Sequence, residues 1–208
     1  MNEQLLANPI ISQFIGLAVG LFTSFFSWWV LFRWMAPRIT LSNNISKTKS
    51  STPIEDDEDK SGWRYRIKFE NSGRRPVIDL QVRVYARIKG LYGPDSGIWE
   101  SVQIPITTDG EDVYSIPLMN PARKSKIRVR LKLYLNKAEY FRRPEFPPSI
   151  RDKAIQLTLL LEDLLLSGTS AELRVIVSGF DELTGARKVS ERMYKLEDVY
   201  NGPRNLNR

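Results

Sequence analysis

The segment V-I-D-L-Q-V-R-V-Y-A-R-I-K at residues 77–89 decides the fold. Ile78, Leu80, Val82, Val84, Ala86 and Ile88 alternate with Asp79, Gln81, Arg83, Tyr85, Arg87 and Lys89. Successive side chains of a strand point to opposite faces, so strict period two predicts a strand with one buried face. The thirteen quoted residues exceed the usual strand length, which predicts a bulge or bend within them.

The same pattern recurs on both sides. Trp63, Tyr65, Ile67 and Phe69 alternate with Arg64, Arg66, Lys68 and Glu70, and Asn71-Ser72-Gly73 turns the chain before the quoted segment. Gly90 to Gly97 reads as a loop. Ile98, Val102, Ile104 and Ile106 form a weaker strand ended by Asp109-Gly110, and Val113 to Leu118 is a short one whose Pro117 marks an edge. Over 125–135 the alternation is cleanest: Ile127, Val129, Leu131, Leu133 and Leu135 face one way, Lys126, Arg128, Arg130, Lys132 and Tyr134 the other. Residues 136–154, with Pro144, Pro147 and Pro148, read as a long irregular connection. Ile155 to Leu166 stays open between a helix face and a short strand running into a helical turn. Glu172 to Gly179 is a strand, Asp181 to Gly185 a turn, Ala186 to Tyr194 the returning strand, and Glu197 to Val199 a closing turn.

Residues 42–62 read as a linker containing the acidic run Glu55-Asp56-Asp57-Glu58-Asp59, whose carboxylates repel one another and stay solvated. Ile39, Leu41 and Ile45 are an alternative first strand. Seven or eight antiparallel strands with little helix predict a mostly β chain, an antiparallel β-sandwich. The expected division is a membrane anchor over 1–36, a linker over 37–62, the sandwich over 63–203 and a tail over 204–208.

The anchor is read from Ile10 to Phe32, 23 residues without a charge. At about 1.5 Å per residue this crosses the roughly 30 Å of bilayer hydrocarbon. No Lys or Arg precedes it, whereas Arg33, Arg38, Lys47 and Lys49 follow. Cytoplasmic flanks carry the positive excess, which predicts a single-pass membrane protein with its C-terminal domain in the cytoplasm. Trp28, Trp29, Arg33, Trp34 and Arg38 crowd that end and mark the membrane interface. Ser12, Gly16, Gly20 and Ser24 recur every four residues; this small-residue stripe with its GxxxG pair predicts self-association of the helix.

The chain has no His and no Cys, and its net charge is +7. Without those ligands zinc and haem sites lose their commonest donors, and Ser-His-Asp or Cys-His nucleophile systems are excluded. No disulfide can form, in keeping with a reducing compartment. Glu162 and Asp163 are adjacent and diverge on either a helix or a strand, and Asp181 and Glu182 sit in a turn, so neither pair is arranged for acid–base work. No phosphate-binding glycine motif occurs. The expectation is a non-enzymatic protein without cofactor or metal.

The last third has a familiar order. A-E-L-R-V-I-V-S-G-F at 171–180 is followed by D-E-L-T-G at 181–185, a strand ending R-M-Y at 192–194, and E-D-V-Y-N-G at 197–202. This resembles the end of the cytoplasmic domain of inward-rectifier potassium channels. R-I-K-F-E-N-S-G-R-R at 66–75 and A-R-I-K at 86–89 resemble that domain's opening strands. The chain also resembles a set of bacterial proteins with one anchor and this kind of domain, which implies a bacterial inner membrane. The resemblance implies an immunoglobulin-like fold beneath the membrane and homo-oligomers. It does not imply a pore, because a second membrane helix and a T-x-G-Y-G-type filter are missing.

The remaining constellation is basic. Arg64, Arg66 and Lys68, then Arg83, Arg87 and Lys89, then Lys126, Arg128, Arg130 and Lys132 occupy the polar positions of strands. If these strands share a sheet, they form a positive face with Tyr85 and Tyr134 among the cations. Anionic lipid is the favoured partner, single-stranded nucleic acid the weaker rival. Equally, the cations could simply keep an exposed face soluble and resist edge pairing. The composite reading is a membrane-anchored, oligomeric interaction or sensing module that meets the bilayer and another membrane or cytoplasmic protein. The alternative is a membrane-permeabilising effector or channel-accessory protein whose β domain senses a ligand.

Overall fold

The computed structural model describes residues 9–49, 62–92, 95, 97–108, 111–112, 115–121 and 129–202. Pro9–Trp29 is an α-helix (α1), continued by a π-helix over Val30–Trp34. The strands are Ile39–Leu41 (β1), Ile45–Lys49 (β2), Trp63–Asn71 (β3), Val77–Lys89 (β4), Trp99–Gln103 (β5), Ile106–Thr108 (β6), Glu111–Asp112 (β7), Ser115–Met119 (β8), Val129–Leu133 (β9), Ser170–Asp181 (β10), Arg187–Tyr194 (β11) and Val199–Asn201 (β12). Pro148–Ile155 (α2) and Leu161–Leu165 (α3) precede β10.

The strands form two sheets. One runs β12-β2-β3-β9-β6-β7 with β1 also on β3; the other runs β11-β10-β4-β5 with β8 also on β4. The segment at 77–89 is central to the second sheet. Its inward Val82, Val84 and Ala86 pair in register with Val177, Val175 and Leu173 of β10, and all six are nearly solvent-free. The opposite layer is Tyr65, Ile67 and Phe69 of β3 beside Leu131 and Leu133 of β9. Apolar faces of both sheets belong to one core, so the protein is a sandwich of two sheets.

The expected irregularity in β4 lies at Asp79. Its φ is +50°, and the pairing with β10 slips between Ser178 and Phe180. The extra residue reverses the alternation N-terminal to it. Val77 is therefore buried and Ile78 only half-buried, against the inward place that period two gave Ile78. Gly179 opposite the bulge has no room for a side chain: a Cβ there would lie 2.6 Å from Val77 Cγ1.

Four other expectations are corrected. Residues 39–49 are not linker: β1 and β2 both pair with β3, because Ile39, Leu41 and Ile45 have a core to enter. The weak strand around 98–106 is two strands in different sheets, and the chain crosses between them at Ile104-Pro105. Residues 136–154 hold two 3-10 turns and α2, with Pro148 at the helix start, where its missing N–H costs nothing. β12 pairs parallel with β2, a contact between the two ends of the chain that local pattern cannot forecast. Ile155 to Leu166 resolves towards helix: α3 presents Leu161, Leu164 and Leu165 to the core.

The helical connection plugs one end of the sandwich. α3 packs on β10 and β4, and Tyr65 Oη of the other sheet donates to Glu162 of α3. Lys47 Nζ meets the same carboxylate at 2.5 Å and lies 4.4 Å over the Trp63 ring. Burial, and then Glu162, push the Tyr65 hydroxyl pKa well up.

Candidate functional site

The other end of the sandwich receives the foot of the apolar helix. The turn between β3 and β4 grips residues 35–38. Asn71 is fully buried; its Oδ1 accepts from Arg38 N at 3.2 Å and Gly73 N at 3.0 Å, and its Nδ2 donates to Arg75 O at 2.7 Å. Ser72 N donates to Arg38 O at 2.8 Å. Gly73 lies flat against the foot: a Cβ would be 2.5 Å from Ala36 O and from Arg38 N, and 2.6 Å from Pro37 Cα. Only glycine lets two backbones approach this closely. Arg74 stacks its guanidinium 4.7 Å over the Trp34 ring.

Arg75 is the centre of the junction. Its Nε donates to Met35 O at 2.9 Å, and its Nη2 stands 2.9 Å from Asp181 Oδ2. The side chains of Arg75 and Asp181 are 9% and 1% exposed. The ion pair lies outside hydrogen-bonding angles, and neither Nη1 nor Nη2 has a hydrogen-bond partner. Asp181 in turn organises the β10–β11 turn, accepting from Leu183 N at 3.2 Å and Thr184 Oγ1 at 2.8 Å. One guanidinium thus links the helix foot, the β3–β4 turn and the β10–β11 turn.

Beside this junction an open groove of about 560 Å³ is lined by Trp28, Trp29, Phe32, Arg33, Ala36 and Lys188. Two cations here meet three aromatic rings. Arg38, Arg74 and Arg187 are exposed at the same end, as is Leu183. Glu182 is the exposed acidic residue of that turn. Of the interface set expected from sequence, Trp28, Trp29 and Arg33 line this groove, Trp34 lies beneath Arg74, and Arg38 is held by Asn71 at the foot.

The small-residue stripe stands clear of the sandwich. Gly16 and Gly20 have no atom within 4 Å of a notional Cβ, and α1 buries none of its residues. At about 100° per residue Trp28 continues the every-fourth-residue row of the stripe, whereas Trp29 lies on roughly the opposite side of the helix.

The basic strand positions do not make one face. Arg64, Arg66 and Lys132 belong to the first sheet, where Arg66 pairs with Lys132 and Lys68 with Arg130. Arg83 and Arg87 belong to the second, whose outer surface looks the other way. Lys68 is only 8% exposed. Arg87 is paired with Glu172 at 2.6 Å and stacked on Trp99 at 4.8 Å. Alternation assigns residues to inner or outer faces but not strands to sheets, which is why the sequence merged two surfaces. Lys126, Arg128, the acidic run 55–59 and the tail 204–208 lie outside the described residues, as does the side chain of Arg130.

Sequence reasoning missed Asn71, Gly73, Arg75 and Asp181. The signal was present in N-S-G-R-R-P at 71–76, two arginines wedged between a turn glycine and a proline, but arginine is by default a surface residue. Among the described residues no group of three or more His, Cys, Asp or Glu could hold a metal. No protein-family model and no curated protein matches the chain. The resemblance to inward-rectifier domains therefore rests on the quoted motifs alone.

Proposed function

We propose that this chain is a non-enzymatic, single-pass membrane protein whose β-sandwich is held against the bilayer surface as an interaction or sensing module. The observation that carries the reading is the locked helix foot. A domain on a free tether has no use for a buried Asn, a shape-critical glycine and a buried ion pair at its anchor. α1 and the π-helical turn are long and apolar enough to span, with mean hydropathy 1.8 and no residue buried.

The proposed orientation is cytoplasmic, on the inner membrane of a bacterium, because cations collect only at the foot. Anionic headgroups are the partner proposed for that end: Arg33 and Lys188 flank the groove, and juxtamembrane cations each contribute about 1 kcal/mol near an acidic leaflet. Homo-oligomers would form through the stripe at Ser12, Gly16, Gly20 and Ser24, whose glycines the sandwich leaves uncovered. A membrane-permeabilising or channel-accessory role is the second reading, favoured by the same free stripe, since helices that associate can also rearrange.

The test uses full-length protein in membranes. Protease added to intact spheroplasts should leave the sandwich uncut, while inverted vesicles expose it; the reverse pattern overturns the orientation. In liposomes the paired substitution Arg33→Glu and Lys188→Glu should weaken the preference for anionic over neutral lipid, most at low salt. Ion flux through the same liposomes would favour the second reading.

A further inference from the structure

We infer that Arg75 is a latch through which the β10–β11 hairpin sets the angular position of the membrane helix. The inference rests on the reading above, that α1 spans a bilayer and the sandwich senses. Three observations converge on it. Among the described residues, the bond that the Arg75 side chain makes to the helix foot goes to a main-chain carbonyl, Met35 O, so the contact reads backbone position and not side-chain identity. Its other arm faces Asp181, which holds the Leu183 and Thr184 positions of the hairpin turn. Immediately before Met35 the helix is a π-helix over Val30–Trp34.

These parts have the properties a coupling needs. A π-helical turn is rare, concentrates at functional sites, and has a different angular step per residue from an α-helix. Tightening Val30–Trp34 towards α geometry would turn all of α1 relative to Met35 without breaking the foot. The guanidinium has donors in reserve, because Nη1 and Nη2 are buried without hydrogen bonds. It can exchange acceptors between the hairpin and the foot while remaining buried, which is the behaviour of a two-state element. A load on the hairpin, from a bound partner or an apposed headgroup layer, therefore reaches Met35 through one side chain. The rest of the foot is held by the β3–β4 turn, which fixes where the helix ends but leaves its rotation to the π segment.

Because the chain has no cysteine, paired spin labels can be placed cleanly. Full-length protein in liposomes is labelled at Ile15→Cys and Glu182→Cys to read the helix against the hairpin, and separately at Arg83→Cys and Lys132→Cys to read one sheet against the other. Arg75→Gln should shift or at least double the width of the first distance distribution and leave the second narrow. Asp181→Asn, nearly isosteric, should do the same to a smaller degree. The proposal is overturned if the helix–hairpin distribution keeps its wild-type mean and width in a variant whose sheet–sheet distribution stays narrow. It is also overturned if both variants broaden the sheet–sheet pair, since Arg75 and Asp181 would then be core residues of the fold and not a coupling. Accessibility of the Ile15 label to oxygen reports membrane insertion independently. Loss of that signal refutes the spanning reading whatever the distances do.

Discussion

The two ends of the sandwich are closed by opposite means. The end bearing the helical connection is sealed by apolar side chains: Phe141, Phe146, Ile150, Leu161 and Leu164 are each no more than 2% exposed, and Phe141 and Phe146 meet edge to face at 5.4 Å. The end bearing the apolar helix is sealed by polar ones, with Asn71, Arg75 and Asp181 buried around a carbonyl of the foot. Apolar burial is non-directional and stabilises in proportion to area. A buried ion pair adds little net stability, because desolvation offsets attraction, yet it tolerates only a narrow geometry. The comparison teaches a division of labour: one end holds the fold together, the other fixes where the helix leaves it.

The largest expected effect tests the apolar end. Phe141→Ala should lower unfolding free energy by about 3–5 kcal/mol, the range for deleting a buried aromatic ring. Equilibrium denaturation of the full chain in detergent measures it. The helix foot should stay docked up to the transition, and premature release of the foot would break the comparison. Gly73→Ala should cost the docking of the foot about 1–3 kcal/mol, since the added methyl forces two backbones apart. Its effect should be local: trypsin should cut after the exposed Arg38 several-fold faster while the sandwich melts nearly as before. Unchanged cleavage would mean that the foot is not gripped by this turn.

A smaller effect sharpens the picture between the ends. Tyr194 is buried and donates to Ser42 O at 2.7 Å. Burial pushes its hydroxyl up to about 12, from an ordinary value of 10.0. A raised folded-state value means that the stability is whole below about pH 10 and is lost as pH climbs towards 12. Tyr194→Phe should cost about 1 kcal/mol at neutral pH, because Ser42 O loses its donor. It should also flatten the alkaline limb of the stability profile. A limb of unchanged slope would assign alkaline unfolding to other groups, Tyr65 first among them. Smallest for the sandwich should be Gly16→Leu, which touches neither end. Denaturation should match the parent, while crosslinking of the full chain in membranes falls if the stripe is the packing face. Unchanged crosslinking would remove the stripe from any oligomer.

How much of this was legible follows from the range of each signal. β4, β10 and β11 were readable because period two is local and strong, and the length of β4 even announced its bulge. The bulge's consequence was not readable: whether Val77 or Ile78 enters the core depends on Gly179, a hundred residues away. α2 was hidden by prolines that look like breakers but act as starters. That aromatic and basic residues crowd together around Trp28 and Arg33 was legible from their order; that Lys188 joins them in one groove was not. The clamp beneath it was not, because nothing local distinguishes a buried Arg75 from the exposed Arg74 beside it.

By itself the amino-acid order determined a long uncharged N-terminal segment, a β-rich remainder, the inner and outer faces of its strands, and the absence of histidine and cysteine chemistry. Each is a property of neighbouring residues, set by hydropathy and by the two-residue period of a strand. Tertiary structure alone decided which strands share a sheet, which arginines are surface and which are core, and how the helix is joined to the sandwich. Those depend on partners distant in sequence. A guanidinium pairs with a carboxylate across more than a hundred residues only once the fold has brought Arg75, Asp181 and Met35 O to one place.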